Sequence, residues 1–416
     1  MPSLSDRLKS LGVQVGAQGL PPPRSDQQPS IDQVVKGRLY STKNGETYIA
    51  EKLYPAEYSY GSCSLLASGH LGALLQYASP LGNNGLETAG CLPENLAYLD
   101  IETTGLMGGT GTYAFLVGVG RFEGDVFHLV QFFMRDPSEE TAHLLALEEF
   151  LGSCDILVTY NGKSFDAPML NTRYLAQGWK SPLAAFTHLD LLPLARKFWR
   201  ERLPSRTLGN VETFILGARR SHEDVPGWMI PQMYFDYLRS GDASPLQSVF
   251  YHNEMDVLAM AALLNHISRM LEEPPAGSGP AALDLVGMGR FYEDLGRVED
   301  AVRLYETCLS AGLPEGLYWE TVQRLSFIKK RQGDYPAAQA LWEQAAEQGH
   351  LYAHVELAKY YEHRQQDNQE AIHWTQRAIE LVSQPQTPRY LRLEWKTGLE
   401  HRLARLQKKS RSRQKR

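Results

Sequence analysis

Cysteine is scarce in this chain of 416 residues, and its four copies never come in the close pairs that hold structural zinc: Cys63, Cys91, Cys154 and Cys308. Their spacing argues against a zinc finger and against a disulfide framework. Few, scattered cysteines are typical of a reducing compartment, so we predict a cytoplasmic protein. Long apolar runs are missing too. No stretch reaches the roughly 18 apolar residues that a transmembrane helix needs, so we predict no membrane partner.

A surplus of positive charge is also absent, because the net charge is −6 and the isoelectric point is about 6.1. The body of the protein is therefore not a general binder of nucleic acid through bulk charge. One segment differs: residues 407–416 carry six positive charges and no negative one. Such runs are usually solvated, so we predict a disordered tail, and we hypothesise that it contacts a phosphate backbone.

Asp100 and Glu102 are the most informative pair in the chain, since both interrupt the apolar run 96–101. In a strand, the two-residue period points both carboxylates to one face. Buried together they repel each other, and a bound divalent cation is the simplest compensation. The turn residues that follow place the pair at a strand end, where α/β sheets usually carry their sites. Taken alone, a solvated acidic strand end explains the pair equally well.

Two further acidic motifs follow along the chain. A β-rich run at 156–160 meets the turn signal Asn161-Gly162, and Asp166 then opens a helix, where a capping role would also explain it. From 251 to 270 the apolar residues recur at helical spacing. That spacing places His252 and Asp256 one turn apart on one helix face. An exposed His–Asp pair would give the same spacing.

Together, Asp100-Ile101-Glu102, the segment 161–166 and the segment 252–256 resemble the three motifs of the DEDD superfamily of 3′–5′ exonucleases, which have a ribonuclease H-like fold. The phrases at 186–192, 203–208 and 225–231 are similar to those of the YprB-like ribonuclease H-like proteins. The resemblance covers roughly residues 37 to 270.

The third motif departs from the family pattern at its general base. The tyrosine subclass has Tyr four residues before the last Asp, where this chain has His252. The histidine subclass has His five residues before it, where this chain has Tyr251. Either residue remains a candidate base, and the one-turn spacing to Asp256 favours His252.

The resemblance implies hydrolysis of phosphodiester bonds in DNA or RNA by a two-metal-ion mechanism that uses Mg²⁺ or Mn²⁺. The metal ligands would be four carboxylates: Asp100, Glu102, Asp166 and Asp256. Substrate would be bound by Thr103, Thr104, Gly105, Leu106 and Asn161. Lys163 and Arg206 would contact phosphates. Ordinary loop roles explain all of these substrate and phosphate residues at least as well. Asp190 would support the site, although a plain strand-end residue is the more economical interpretation.

The segments around the motifs predict the fold. Strands are expected at 113–120 and 126–133, joined as a hairpin, then a helix at 139–151 and a strand at 156–160. This order predicts an α/β ribonuclease H-like mixed sheet with helices. Two β-prone runs around Asn44-Gly45 predict a further hairpin. We interpret that hairpin and the helix-like stretch 65–77 as an addition packed on the nuclease fold.

A repeat follows residues 273–280, whose composition is that of a linker. Gly296 to Ala301 recurs 37 residues later as Gly333 to Ala338, and a weaker copy lies around Ala371. Aromatic and then small residues recur after each alanine: Tyr305, Trp342 and Trp374, then Cys308, Ala345 and Ala378. The pattern resembles tetratricopeptide repeats, although a generic helical bundle is the alternative. Such an all-α tetratricopeptide-like repeat domain would bind a protein partner.

These features divide the chain into a disordered segment (1–36), a hairpin and helix addition (37–93), a ribonuclease H-like exonuclease domain (94–272), a linker (273–280), repeats (281–382) and a C-terminal helix with a basic tail (383–416). The leading interpretation is a metal-dependent 3′–5′ exonuclease. Two alternatives stay open. One is a protein-interaction adaptor with a residual nuclease fold, and the other is a structure-selective endonuclease or a small-nucleotide hydrolase. No motif distinguishes DNA from RNA.

Overall fold

The computed structural model describes residues 28–67, 71–79, 92–105, 111–385 and 387–414, without the side chains at 391 and 412–414. These residues form two compact units that meet in the sequence between Pro274 and Pro275. No helix in the described ranges is both long enough and apolar enough to cross a membrane.

In the first unit, seven strands of the described chain form one mixed sheet. These strands, with a separate ribbon of β3 and β4, are β1 Arg38–Thr42, β2 Gly45–Pro55, β3 Ser59–Tyr60, β4 Cys63–Ser64, β5 Leu96–Thr103, β6 Ala114–Glu123, β7 Val126–Phe133, β8 Ile156–Thr159 and β9 Thr187–Asp190. Their order across the sheet is β1-β2-β7-β6-β5-β8-β9. Because β5 lies parallel to β8, and β8 to β9, the carboxyl ends of these three strands meet at one edge.

The helices of this unit are α1 Ile31–Val34, α2 Gly72–Ala78, α3 Glu140–Leu151, α4 Asp166–Ala176, α5 Leu191–Phe198, α6 Leu208–Val211, α7 Ile230–Ser240 and α8 Leu246–Glu272. A π-helix, Glu212–Leu216, continues α6. Leu99 and Ile101 of β5 pack with residues of α3 and α4. Side chains alternate along a strand, so Asp100 and Glu102 point to the opposite face. The predicted α/β mixed sheet is confirmed.

The N-terminal hairpin forms where it is predicted, and it is joined to the main sheet by backbone pairing. Strand β2 pairs with β7 from Tyr48 opposite Phe133 to Pro55 opposite Val126, so the hairpin extends the main sheet. The backbone of β7 would otherwise be an unpaired edge, which β2 satisfies. Within the described part of the predicted helix-like stretch 65–77, residues 72–77 are helical and belong to α2, whereas residues 68–70 lie outside the described residues.

The predicted disorder of residues 1–36 is corrected in part. Residues 28–36 are described, and they contain α1, which Ser30 and Gln33 close with a capping box. Ile31 is buried, and the carbonyl of Pro29 accepts a hydrogen bond from the amide of Ala243 at 3.0 Å. A single apolar anchor therefore orders a segment whose polar composition indicates disorder. Residues 1–27 lie outside the described residues.

The second unit consists of helices throughout its described length. They are α9 Pro280–Asp294, α10 Val298–Ser310, α11 Glu315–Gln332, α12 Tyr335–Glu347, α13 Leu351–Tyr360, α14 Asn368–Ser383 and α15 Arg389–Gln414, with a π-helix at Tyr361–Gln365. The repeated alanines are fully buried: Ala301, Ala338 and Ala371. Gly296 and Gly333 adopt the left-handed conformation between paired helices, and Gln366 adopts it in the third pair. The third copy is weak in the sequence because glutamine replaces glycine at this turn.

The prediction of a disordered basic tail is wrong for residues 407–414, since α15 continues through Gln414. Arg402, Arg405 and Lys409 of this helix all contact the buried carboxylate of Glu362. Basic residues three or four apart lie on one helix face, so one buried acid can bind several of them. Residues 415 and 416 lie outside the described residues.

Candidate active site

The first acidic motif occupies the centre of the sheet. Asp100 of β5 lies opposite Gly118 of β6, and its carboxylate accepts a hydrogen bond from Asn253 Nδ2 at 2.8 Å. Asn253 in turn accepts one from Gln131 at 2.9 Å. A Cβ atom at position 118 would lie 2.2 Å from Asn253 Oδ1, so only glycine admits this amide. Packing between β6 and α8 therefore fixes the position of Asp100.

The second motif lies at the carboxyl end of β8. Asn161 adopts a left-handed conformation, with φ of 69°, and its exposed side chain lies in the loop between β8 and α4. The carboxylate of Asp190 holds that loop, because it accepts hydrogen bonds from the amides of Asn161 at 2.8 Å and Lys163 at 3.1 Å. Asp166, the first residue of α4, is buried. Asp190 thus shapes the loop from a neighbouring strand end.

The third motif lies on α8. His252 Nε2 faces two predicted metal ligands, at 3.6 Å from Asp256 Oδ2 and 4.0 Å from Glu102 Oε1. Its Nδ1 lies 2.7 Å from Asp224 Oδ1. Tyr251 points elsewhere, since its hydroxyl accepts a hydrogen bond from the amide of Ser221 at 2.9 Å. Of the two candidate bases, the structure brings His252 to the carboxylates.

The carboxylates form one electrostatic group. Burial raises the pKa of Asp100 well above its usual range, and repulsion from Asp256, Glu102 and Asp166 raises it further. Burial and the charges of Asp256 and Asp166 likewise raise the pKa of Glu102. Burial also raises the pKa of Asp166 to about 7, although backbone hydrogen bonds oppose the shift. Ionisation of the whole group would therefore place more negative charge here than its surroundings neutralise.

Arg220 is the main cation at this site, and sequence reasoning did not find it. Its guanidinium forms hydrogen bonds with the carboxylates of Asp256 and Glu212, the latter at 2.9 Å, and lies 3.7 Å from Asp224. The hydroxyl of Tyr60 donates a further hydrogen bond to Glu212 at 2.6 Å. Arg220 and Asp224 lie in a segment without regular periodicity, so no sequence pattern points to either residue.

The donor chemistry fits divalent cations such as Mg²⁺ or Mn²⁺, because these ions prefer carboxylate oxygen and the group lacks positive charge. Among the described side chains, no three His, Cys, Asp or Glu residues converge tightly enough to share one ion. The Arg220 guanidinium donates a hydrogen bond to the Asp256 carboxylate instead. Asp256 would exchange this partner for a metal, while Glu212 and Asp224 keep the arginine in place.

A pocket of about 700 Å³ opens beside His252 and Asp256, and Arg220 and Gly227 also line it. Two aromatic side chains follow lining residues in the sequence and are unusually exposed. Trp228 is 75% exposed and Phe214 is 55% exposed. Sequence reasoning included Trp228 only as part of the family-like phrase 225–231, and it did not select Phe214.

The remaining predicted residues shape the turn after β5. The Thr103 hydroxyl donates to the carbonyl of Gly105 at 2.9 Å, and the Thr104 hydroxyl accepts from the amide of Tyr113 at 2.9 Å. Leu106 lies outside the described residues. Arg206 donates to the carbonyl of Leu203 at 2.9 Å, which indicates a structural role in its own turn.

Comparisons with known proteins agree with the fold described above. A family model described as RNase_H superfamily matches residues 97–268, and one described as Tetratricopeptide repeat matches residues 285–316. The chain is 31% identical over 342 residues to the uncharacterized protein YprB of Bacillus subtilis (strain 168), a match that covers 80% of each chain. The chain belongs to the YprB family. The predicted resemblance to YprB-like ribonuclease H-like proteins with tetratricopeptide repeats is thus confirmed, and the four carboxylates of this YprB-family chain lie inside the first match.

A solved structure is also similar, the family B DNA polymerase from the hyperthermophilic archaeon Pyrobaculum calidifontis. The identity is 18% and the TM-score is 0.34, and the similar region covers 51% of this chain and 29% of the polymerase.

Proposed function

We propose that this protein is a metal-dependent 3′–5′ exonuclease that hydrolyses phosphodiester bonds of single-stranded DNA or RNA. The observation that carries the proposal is the electrostatic coupling of four carboxylates contributed by β5, α4 and α8: Asp100, Glu102, Asp166 and Asp256. Uncompensated buried charge of this kind is costly, so it indicates a bound cation. The ribonuclease H superfamily match supports nucleic acid as the substrate class.

In this proposal Asp100, Glu102, Asp166 and Asp256 would hold two divalent cations, Mg²⁺ or Mn²⁺. The ions, when bound, lower the pKa of a water molecule and neutralise charge on the leaving oxygen. His252 accepts the proton of that water. An ionised carboxylate only accepts hydrogen bonds, so Asp224 places the imidazole proton on Nδ1 and leaves the lone pair on Nε2, which faces the carboxylates.

The 3′ end of the nucleic acid would be bound on two sides of the carboxylates. The turn from Thr103 to Gly105 directly follows Asp100 and Glu102 of β5, so the backbone of this turn would approach the terminal nucleotide. Trp228, which follows the pocket residue Gly227 in the sequence, offers an exposed ring, and an unpaired base stacks on such a ring whatever its sequence. This contact favours single strands, because the bases of a duplex are already stacked.

The test is cleavage of 5′-labelled single-stranded DNA and RNA in Mn²⁺, Mg²⁺ or EDTA. We expect a metal-dependent ladder that shortens from the 3′ end, and we expect Asp100→Ala to abolish it. Asp125→Ala removes an exposed acid from the β6–β7 turn and serves as the matched control. Internal cuts would instead indicate an endonuclease, and no cleavage in any metal would reject the enzymatic proposal.

The helical repeats favour a second, compatible role. A Tetratricopeptide repeat match at 285–316 and the repeated buried alanines indicate a stacked array of helix pairs. We propose that this array binds a protein partner, as an adaptor would. Loss of that partner on disruption of the repeats, with cleavage unchanged, would separate the two roles.

A further inference from the structure

Helix α15 concentrates positive charge in a chain that is acidic as a whole. Between Arg389 and Gln414 it carries nine arginine or lysine residues and two glutamates, whereas the net charge of the whole protein is −6. Both glutamates lie in its first half, so residues 401–414 contain six basic residues and no acidic one. The second half of the helix is therefore a strongly cationic surface.

One buried carboxylate organises this surface. The Glu362 side chain is only 1% exposed, and its Oε2 lies 2.6 Å from Arg402 Nη1 and 2.7 Å from Arg405 Nη2. Lys409 Nζ contacts Oε1 at 3.1 Å, and His363 Nε2 lies 3.6 Å from Oε2. A single negative charge thus faces three permanent cations, and a net positive charge remains after all these pairs are formed.

The surplus charge borders a pocket of about 580 Å³. Arg405, Lys408 and Lys409 line it from α15, and the facing segment contributes Glu362, His363, Gln366 and Asn368. Arg411, one turn of helix beyond Lys408, is exposed. Cations fixed around a concave surface focus a positive potential there and attract anions.

We propose that this surface, which we call the α15 anion site (Arg405, Lys408, Lys409 and Arg411), binds the phosphodiester backbone of single-stranded nucleic acid. Cations spaced along a helix suit a linear polyanion better than a small one. Arginine and lysine both bind phosphate oxygens, and the Asn368 amide provides a neutral donor in the same pocket. The choice of nucleic acid as the polyanion rests on the proposed exonuclease function.

The test is the affinity of the full-length protein for 5′-labelled single-stranded DNA and RNA, measured by fluorescence anisotropy in EDTA over a range of salt concentrations. We expect Lys408→Glu with Arg411→Glu to raise Kd about tenfold near 0.1 M salt, and to reduce the salt slope by about 1.4, since two phosphate contacts are lost. Lys408→Gln with Arg411→Gln should give intermediate values, as an effect of charge does and misfolding does not.

The matched control is Arg303→Glu with Arg377→Glu, which changes the charge equally on two other helices of the same unit, α10 and α14. It should leave both Kd and salt slope unchanged. Equal effects of the two double reversals would overturn the α15 anion site. Competition by polyglutamate as strong as that by the oligonucleotide would also overturn it, because the site would then prefer acidic peptides. Binding is measured without metal, so failure of the exonuclease appears separately, as bound but uncleaved strands.

Discussion

The two units of this protein differ in the sign of their excess charge: one contains a cluster of carboxylates with few cations, and the other contains a cluster of cations around one carboxylate. In the ribonuclease H-like unit, four coupled carboxylates share one principal cation, Arg220, and the pKa of Asp166 rises to about 7. In the repeat unit, the single carboxylate of Glu362 faces three cations. Burial alone would raise the pKa of Glu362, but the hydrogen bond from Lys409 and the neighbouring positive charges lower it. The two proposed ligands have opposite charges for this reason: metal cations for the first unit and a polyanion for the second.

The largest expected effect is on catalysis in the carboxylate-rich unit. Asp166→Asn keeps the shape of the side chain but removes a metal ligand, and a ligand-held cation contributes several kcal/mol to the transition state. We therefore expect the cleavage rate at saturating metal to fall about 10³-fold. Asp125→Asn, on an exposed turn, should retain the wild-type rate. A fall of less than tenfold for Asp166→Asn would contradict its role as a ligand.

The next effect distinguishes the two candidate bases. His252→Ala should lower the cleavage rate about 10²-fold, as expected for loss of a general base. Tyr251→Phe should change the rate by less than about twofold, because the hydroxyl of Tyr251 faces Ser221 rather than the carboxylates. The assignment is wrong if single-turnover rates show the reverse order.

A smaller effect, on KM, is expected from substitution of the exposed Trp228. Stacking of one base is worth about 1–3 kcal/mol, so Trp228→Ala should raise KM for single strands about tenfold or more, with kcat little changed. Trp228→Phe should restore most of the affinity. Quenching of tryptophan fluorescence when substrate binds would show the contact directly, and equal KM values for all three proteins would refute it.

Thermal stability offers a test of the comparison itself. In EDTA, Asp166→Asn should raise the melting temperature, since it removes charge from a repulsive cluster. Glu362→Gln should lower it, because three cations lose their shared anion. Both shifts should be about 2–4 °C for each kcal/mol of change. Shifts of the same sign in calorimetry would mean that the two clusters do not differ as described.

The pH dependence of stability follows from the raised pKa of Asp166. Unfolded Asp has a pKa of about 3.9, so between about pH 4 and 7 the folded chain binds more protons than the unfolded chain. The free energy of unfolding therefore falls as pH rises through this window. We expect Mn²⁺ to raise the melting temperature more at pH 8 than at pH 5, and Asp166→Asn to reduce that difference. A metal effect independent of pH would contradict the coupling.

Local patterns predicted much of this structure. The acidic pair of β5, the helix that starts at Asp166 and the spacing of His252 and Asp256 are all readable within a few residues. Arg220 and Asp224 are not, because their role depends on tertiary contacts with α8 from an irregular segment. The helical structure of the basic tail likewise depends on a tertiary contact, because Lys409 pairs with Glu362, which lies far from it in sequence. The metal ligands, the general base and the substrate contacts remain predictions until the experiments above are made.

The close contact at Gly118 also constrains how this family can vary. Any side chain at 118 would displace Asn253, and with it the hydrogen bond that holds Asp100. Positions 118 and 253 are thus expected to change together, and a relative that acquired alanine at the first should have lost asparagine at the second. Such a paired exchange, found in a natural sequence, would mark a lineage in which Asp100 is no longer held in place.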